Sequence, residues 1–411
     1  MFFGLLVILW SFCLTFLFPK ESYKSFLIVL SLHTLIILFL AFSDINMIGA
    51  TEDAKSFYEN SIERAFNIDN PFHEYHLDWS FSKLSNGHDF FKNVHALLQY
   101  YFYGPEKLLS YSTTLLAWAF SALILSKLYL CLCKNDYNGT RIVVYLYGLT
   151  PSILIFHSYF LREVWQSLLL LSLIYSSIYF SKNHKNLLKF FTIGLIAVIA
   201  ILFHRYMIIL LAAVIAIILI YDAIDKYSWF PFNKLKLLSY FIFLAICFFI
   251  ILKIDMDALN YIYNSGGILG AIDYYSSGLV GADGSDGPPA RTTYGKIIDK
   301  DNVFSVLNAF TTYQLMPYPW KVSSIADLPP LFESFLRVLL VTIFFVNRKK
   351  LSLNQKLNVD MIFLIWLTIE LIWSIATINW GTAYRHHTVA YGLLVIVSIA
   401  TYRNNKKNQK T

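Results

Sequence analysis

Residues 361–402 read MIFLIWLTIELIWSIATI, then NWGTAYRHH over 379–387, then TVAYGLLVIVSIATY. Two apolar segments of roughly 20 and 15 residues, close to the ~17–25 that a membrane-spanning helix needs, are separated by nine residues. Those nine residues contain Arg385, His386 and His387. The pattern predicts two helices that cross a membrane, with cationic and protonatable side chains where the chain turns between them.

The composition extends this interpretation to the whole chain. Apolar residues make up 57% of the 411 residues, charged residues only 14%, and the mean hydropathy is +0.55. Soluble domains contain about 25% charged residues. This composition excludes an ordinary soluble protein, and no alternating strand pattern predicts a barrel. We expect an all-α, polytopic integral membrane bundle.

The apolar segments predict about eleven transmembrane helices. They are 2–18, 25–43, 109–132, 142–160, 164–181, 187–203, 206–222, 236–252, 333–347, 359–378 and 388–402. We expect them to form a single transmembrane domain over 1–411.

Basic residues fall in every second connection between these segments and in the C-terminal tail. Such clusters remain in the cytoplasm, which predicts an outer N-terminus and a cytoplasmic C-terminus. The net charge of +7 is thus a topology signal and does not indicate nucleic-acid binding. Two long loops are predicted on the outer face: 44–107, with a helix in the membrane interface, and 253–332, a candidate lid.

Three arginines lie where a predicted helix begins at the outer face: Arg162, Arg205 and Arg385. Helix N-termini favour anions, and a guanidinium binds phosphate with two parallel hydrogen bonds. Together these arginines would bind a phosphate or pyrophosphate group, and we call them the outer arginine clamp. Each could instead only reach lipid headgroups. Arg291, in the second loop, could join the clamp when that loop closes.

Candidate proton-transfer groups lie near the same level. Asp53 could act as a general base or simply belong to the start of a helix. Glu163 could do so or pair with Arg162, and His386 is the remaining candidate. His204 and His387 could contact substrate or be ordinary interfacial residues.

The stretch MPYPWK (316–321) offers aromatic faces next to a cation. Tyr318 and Trp320 could stack on sugar rings or anchor the chain at the membrane interface, and Lys321 could contact substrate. No metal-ligand spacing and no nucleotide-binding loop occurs in the sequence, so we expect no metal site and no cofactor.

Four stretches together resemble the Wzy-type polymerases of O-antigen and oligosaccharide repeat units, bacterial membrane proteins with a GT-C-like fold. They are LTPSILIFHSYFLREVWQSLLLL, FHRYMIILLA, MPYPWK with the following FES, and NWGTAYRHH, and ATEDAKSFYENSIERA in the first loop adds to them. The resemblance covers roughly 150–390 and, with that loop, most of the chain.

The resemblance implies an inner-membrane glycosyltransferase with a periplasmic site. Its donor and acceptor would be glycans on undecaprenyl pyrophosphate, a chain-length regulator protein is a possible partner, and nucleic acid is not. Pyrophosphate binding would fall to Arg162, Arg205 and Arg385, with looser matches at Arg291 and Lys321. Many relatives have a second arginine where this chain has His387. The implied reaction is inverting and independent of metal.

Two alternatives remain open. One is a related transferase, using another lipid-linked sugar donor or acting as an O-antigen ligase. The other is a flippase for lipid-linked oligosaccharides, which would place charges deep within its spans. Glu370 and Arg337 are such charges.

Overall fold

The computed structural model describes residues 2–43, 51–68, 88–102, 106–182, 186–204, 207–226 and 304–408. These residues form α-helices joined by short turns and 3-10 segments, with no β-strand among them. The helices are α1 Phe2–Cys13, α2 Tyr23–Phe42, α3 Thr51–Phe66, α4 His88–Tyr101, α5 Lys107–Leu132, α6 Tyr137–Gly148, α7 Pro151–Phe156, α8 Glu163–Lys182, α9 Asn186–Phe203, α10 Met207–Lys226, α11 Phe304–Leu315, α12 Leu328–Arg348, α13 Leu353–Ala376 and α14 Trp380–Asn408. The predicted all-helical class is confirmed for this part of the chain.

Four described helical segments are long and apolar enough to cross a membrane: Lys20–Phe42, Lys107–Leu132, Ile325–Arg348 and Gln355–Ile375. Shorter apolar helices cover Phe2–Leu17, Leu188–Phe203 and Met207–Tyr221. These helices indicate a membrane protein. The count of about eleven spans and the orientation stay predictions, and the predicted span 236–252 lies outside the described residues.

The chain divides into two compact units. Unit 1 consists of Met1–Met207, Val341–Val359 and Thr388–Thr411, and unit 2 of Ile208–Leu340 and Asp360–His387. Of the predicted second outer loop, only its final part, from Phe304 onward, is described.

Helix α5 lies at the centre of unit 1, where it packs against α1, α2, α6 and α8. Trp118, in the middle of α5, is fully buried and stacks on His33 of α2, with ring centroids 4.1 Å apart. His33 Nε2 also lies 3.1 Å from the carbonyl of Gly148 at the end of α6. The donor and its carbonyl acceptor are both buried, so neither is left unpaired in an apolar interior.

The predicted continuous span 142–160 is wrong. Helix α6 ends at Gly148 and α7 begins at Pro151, followed by turns up to Arg162. The proline ring disfavours helical geometry at the residue before it, and Thr150 accordingly adopts an extended conformation with ψ 126°. Pro151 itself occupies the first helical turn of α7, where its missing N–H costs nothing.

The stretch 379–387 differs from the predicted short turn. Helix α14 begins at Trp380, so Arg385, His386 and His387 lie on its first two turns. The side chain of Asn379 accepts a hydrogen bond from the Thr382 N–H at 2.6 Å, which caps the helix.

The segment 44–107, predicted to be an outer loop with an interfacial helix, contains helix α4 over His88–Tyr101, and its outer position stays a prediction. Phe91 of this helix is fully buried and stacks on Phe160 with centroids 4.9 Å apart, so it belongs to the interior of unit 1. Tyr100 and Tyr101 at its end are exposed. Only this end of the helix has the exposed aromatic rings that an interfacial position requires.

Candidate functional site

Arg162 immediately precedes α8 in unit 1. Its carbonyl accepts hydrogen bonds from the N–H groups of Trp165 and Gln166, each at 3.0 Å, so it stands at the position that opens the helix. The residue is only 7% exposed. The guanidinium carbon lies 5.3 Å from the ring centroid of Phe57 on α3, a distance at which the ring face attracts a cation.

A second cation faces the same ring. Lys92 of α4 places its Nζ 5.9 Å from the Phe57 centroid. Burial lowers the pKa of the Lys92 ammonium, and the positive charge of Arg64 lowers it further. Asp89 acts in the opposite direction, whereas Arg162 adds to the lowering. Lys92 therefore lies within electrostatic reach of two arginines.

Arg64 completes what we call the cation cluster: Arg64, Lys92 and Arg162. It joins α3 to α4 through hydrogen bonds to Asp89 Oδ1 and Asn93 Oδ1, both at 2.5 Å. Asp89 offsets the charge of Arg64, and Lys92 and Arg162 both face the Phe57 ring. An anion with several oxygens suits such a cluster, because each approaching oxygen reduces the repulsion between the cations.

Sequence reasoning found Arg162 but missed Arg64 and Lys92. A usable signal existed: Asp89, Lys92 and Asn93 are spaced three and four residues apart, which places them on one face of a helix. Nothing in the sequence paired that face with Arg64, which lies 25 residues before Asp89.

Unit 2 contains a second constellation, built around Glu370 of α13 and His387 of α14. Both side chains are about 1% exposed. His387 Nδ1 lies 2.5 Å from Glu370 Oε2, and Nε2 lies 3.2 Å from the carbonyl of Tyr313 on α11. Gln314 Nε2 donates to the same Glu370 oxygen at 2.6 Å.

Arg337 and Glu333 of α12 extend this constellation. Arg337 Nη2 donates to the Gln314 carbonyl at 2.7 Å, while its Nη1 lies 3.9 Å from Glu333 Oε2. The side chain of Tyr384 lies within electrostatic range of Glu333. We call these seven residues the buried polar cluster: Tyr313, Gln314, Glu333, Arg337, Glu370, Tyr384 and His387. Only Glu370, Arg337 and His387 were singled out from the sequence.

His386 faces different partners from its neighbour. Its ring stacks on Trp373 with centroids 4.0 Å apart, and its Nδ1 lies 3.2 Å from Thr377 Oγ1. The Thr377 hydroxyl donates to the Trp373 carbonyl at 2.7 Å, so it is an acceptor for His386 Nδ1–H. This arrangement favours the tautomer in which Nε2 is the basic nitrogen.

The two aromatic side chains of the MPYPWK stretch stack on each other. Tyr318 and Trp320 stack with centroids 5.0 Å apart at an interplanar angle of 15°. Trp320 is 75% exposed, and Lys321 is exposed beside it. A sugar ring or a lipid headgroup could use this face, so both interpretations stand.

The other predicted site residues are placed as follows. Glu163 is the first residue of α8 and is buried, while Asp53 is exposed in the first turn of α3. His204 lies between α9 and α10 and is half-buried, as is Arg385 on α14. Arg205 and Arg291 lie outside the described residues.

The outer arginine clamp stays a prediction. Arg162 belongs to unit 1 and Arg385 to unit 2. What the structure does bring together is Arg162 with Lys92 and Arg64, and His387 with Glu370.

Within the described residues, no group of three or more His, Cys, Asp and Glu side chains is placed to hold a metal ion. No protein-family model, no curated protein and no solved structure matches this chain.

Proposed function

We propose that this chain is a polymerase of lipid-linked oligosaccharide repeat units, working at the periplasmic face of a bacterial inner membrane. The observation that supports it is Arg162, buried at the start of α8 and sharing the Phe57 ring with Lys92. The resemblance of the four quoted stretches to Wzy-type polymerases adds the substrate class. About eleven spans with an outer N-terminus and a cytoplasmic C-terminus belong to the same proposal.

In the proposed reaction, a hydroxyl oxygen of the acceptor glycan attacks the anomeric carbon of the donor glycan. The bond from that carbon to undecaprenyl pyrophosphate breaks, and the pyrophosphate leaves with the electron pair. The hydroxyl proton passes to a carboxylate or imidazole, for which Asp53, Glu163 and His386 are the candidates. A single displacement of this kind inverts the anomeric centre.

Arg162 and Lys92 would stabilise the charge that develops on the leaving pyrophosphate. Pyrophosphate is already a good leaving group, so the protein's contribution would be positioning and positive charge. Because these cations are partly or wholly withdrawn from water, their attraction for an anion is stronger than at an exposed surface.

The experiment measures the length distribution of the surface glycan, which appears on a gel as a ladder of repeat-unit bands. The gene is deleted, then complemented with wild type, Arg162→Ala, Arg162→Lys or Lys55→Ala, and surface glycolipids are separated on a gel. Lys55 is the matched control, because it lies on α3 but is 72% exposed and pairs with Glu59 at the surface. We expect a ladder from wild type and Lys55→Ala, a single-repeat band from Arg162→Ala, and a shortened ladder from Arg162→Lys, which keeps the charge but loses the planar fork.

A normal ladder from Arg162→Ala, at wild-type amounts of protein in the membrane, would exclude the role of Arg162. Loss of every repeat-bearing band in the deletion strain would instead favour a ligase, a flippase or an earlier transferase.

The buried polar cluster favours one second candidate, a flippase for lipid-linked oligosaccharides. Glu370 and Arg337 are ionisable groups inside apolar helical segments, as a polar path through a membrane requires. A flippase predicts that the deletion strain accumulates lipid-linked repeat units on the cytoplasmic side. A polymerase predicts that they accumulate on the periplasmic side.

A further inference from the structure

The contacts of Glu370 and His387 determine how many protons these two side chains hold together. The Tyr313 carbonyl can only accept, so the contact at 3.2 Å requires a hydrogen on His387 Nε2. A distance of 2.5 Å between His387 Nδ1 and Glu370 Oε2 requires a second proton between those two atoms. The pair therefore holds two protons and is neutral, either as imidazolium with carboxylate or as imidazole with carboxylic acid.

The two carboxyl oxygens of Glu370 differ in their surroundings. Oε2 already meets two groups, His387 Nδ1 and the amide nitrogen of Gln314. Oε1 is buried and has no hydrogen-bond partner among the described protein groups. An incoming proton thus has a vacant acceptor at Oε1, and adding it converts the pair to imidazolium with carboxylic acid.

We infer that Glu370 and His387 form a membrane-embedded site that binds and releases a proton. Glu370 lies within the candidate membrane segment Gln355–Ile375, where an ionisable side chain is costly and is a functional candidate by default. A shared proton lowers that cost, because the pair need not expose a full charge to its apolar surroundings. This inference does not rest on the proposed polymerase function.

The groups around the pair oppose one another in charge. On α12, Arg337 disfavours an added proton while Glu333 favours it. On α14, Tyr384 lies within electrostatic range of Glu333, and Arg385 and His386 precede His387 in the chain. On α11, the Tyr313 ring lies against His387 with centroids 4.2 Å apart. With Arg337 and Glu333 both charged, the neutral pair leaves the buried polar cluster neutral overall.

A gained or lost proton would therefore place one net charge inside the cluster. With the added proton, Glu370 is a carboxylic acid that donates through Oε1 and His387 is an imidazolium. After loss of a proton, Glu370 is a carboxylate and the neutral His387 no longer donates through Nδ1. Either change weakens the contact that joins α13 to α14 within unit 2, so proton occupancy would be coupled to the packing of these two helices.

Infrared spectroscopy of the purified full-length protein in lipid tests the site directly. We expect one carboxylic-acid C=O band in wild type whose intensity changes with pH. Glu370→Gln should abolish this band. Glu333→Gln, which removes the other buried carboxyl of the cluster, should retain it. A spectrum without a titrating buried carboxyl, or a band lost in Glu333→Gln alone, would overturn the inference.

Glu370→Asp keeps the experiment decisive if Glu370→Gln fails to accumulate. Its carboxyl is one methylene shorter, so the titrating band should shift in frequency and in midpoint. An unchanged band in Glu370→Asp would overturn the assignment. Because the readout is the protonation of one carboxyl, failure of the polymerase proposal in the glycan experiment leaves this result unaffected.

Discussion

The guanidinium of Arg162 and the ring of Phe57 face each other at 5.3 Å, although 105 residues separate them in the chain. Lys92 approaches the same ring at 5.9 Å. A single buried phenyl ring thus positions two cations that would otherwise repel each other. This relationship makes Phe57 a positioning residue for the proposed anion site.

Phe57→Leu should weaken polymerisation without abolishing it. Leucine fills most of the space but has no ring face, and a cation–π contact contributes about 1 kcal/mol, which corresponds to a roughly fivefold loss of rate. The measurement is the rate of repeat-unit addition by purified protein. Phe66→Leu is the control, because Phe66 lies on the same helix with its ring exposed. Equal rates for the two variants would contradict the role of Phe57.

Lys92→Arg should shift the alkaline limit of activity to higher pH. The pKa of Lys92 is lowered by burial and by neighbouring arginines, so the wild-type ammonium loses its charge at a lower pH than an ordinary lysine. Arginine stays charged throughout this range. The check is activity against pH for wild type, Lys92→Arg and the exposed control Lys55→Arg, which should follow wild type. If activity is lost at the same alkaline pH in all three proteins, the charge of Lys92 does not contribute to activity.

Asp136→Asn should destabilise unit 1 by roughly 3 kcal/mol. The carboxylate of Asp136 accepts from Arg403 Nη2 at 2.7 Å and from Arg403 Nε at 2.9 Å, and Tyr129 donates to it at 2.6 Å. Tyr129→Phe removes only one of these bonds and should cost about 1 kcal/mol. Thermal unfolding in detergent measures both, and a larger effect for Tyr129→Phe would contradict the ranking.

The same carboxylate predicts a loss of stability in acid. Burial would raise the pKa of Asp136, but the hydrogen bonds from Arg403, Tyr129 and the Gly139 N–H lower it to about 2. A lowered folded-state pKa means that the stabilisation is fully present above the ordinary aspartate pKa of 3.8 and is lost as the pH falls towards 2. Asp136→Asn should lack this part of the acid dependence. An identical acid profile in wild type and variant would contradict it.

Gly148→Ala should destabilise the protein by about 1–3 kcal/mol, as overpacking does. A methyl group at Gly148 would overlap the side chain of Val29 and press on Trp118, disturbing the contact of α6 with α2. Gly194→Ala is the matched control, since its methyl group would meet nothing within 4 Å and should stabilise α9 by about 1 kcal/mol. Thermal unfolding measures the stability of both variants. An equal change in stability for Gly148→Ala and Gly194→Ala would contradict the close packing at Gly148.

Local features of the sequence predicted much of the helical structure. Apolar runs between charged turns located α2, α5, α12 and α13. Hydrophobic periodicity and charge are local properties of the sequence, so they can be recognised without knowing how the helices pack. Pro151 also indicates the break between α6 and α7, although it lies within an apolar run.

The burial of Phe91 could not be predicted in the same way. Its neighbours Tyr100 and Tyr101 are exposed, and all three look alike as aromatic residues in an amphipathic segment. Which face of α4 is covered depends on Phe57, Phe160 and Phe203, each from a different helix or turn.

By itself, the sequence determined that this chain is helical and that its composition is too apolar for an ordinary soluble protein. It also determined that Arg162, Glu370 and His387 are ionisable residues within or beside apolar segments. Only the tertiary structure decided their partners: Phe57 and Lys92 for Arg162, and Glu370 for His387. The physical reason is that charge and hydropathy belong to single residues, whereas an ion pair, a shared proton or a ring contact requires two side chains from separate helices to be within a few ångströms. Helix packing determines that distance, and packing depends on many side chains acting together.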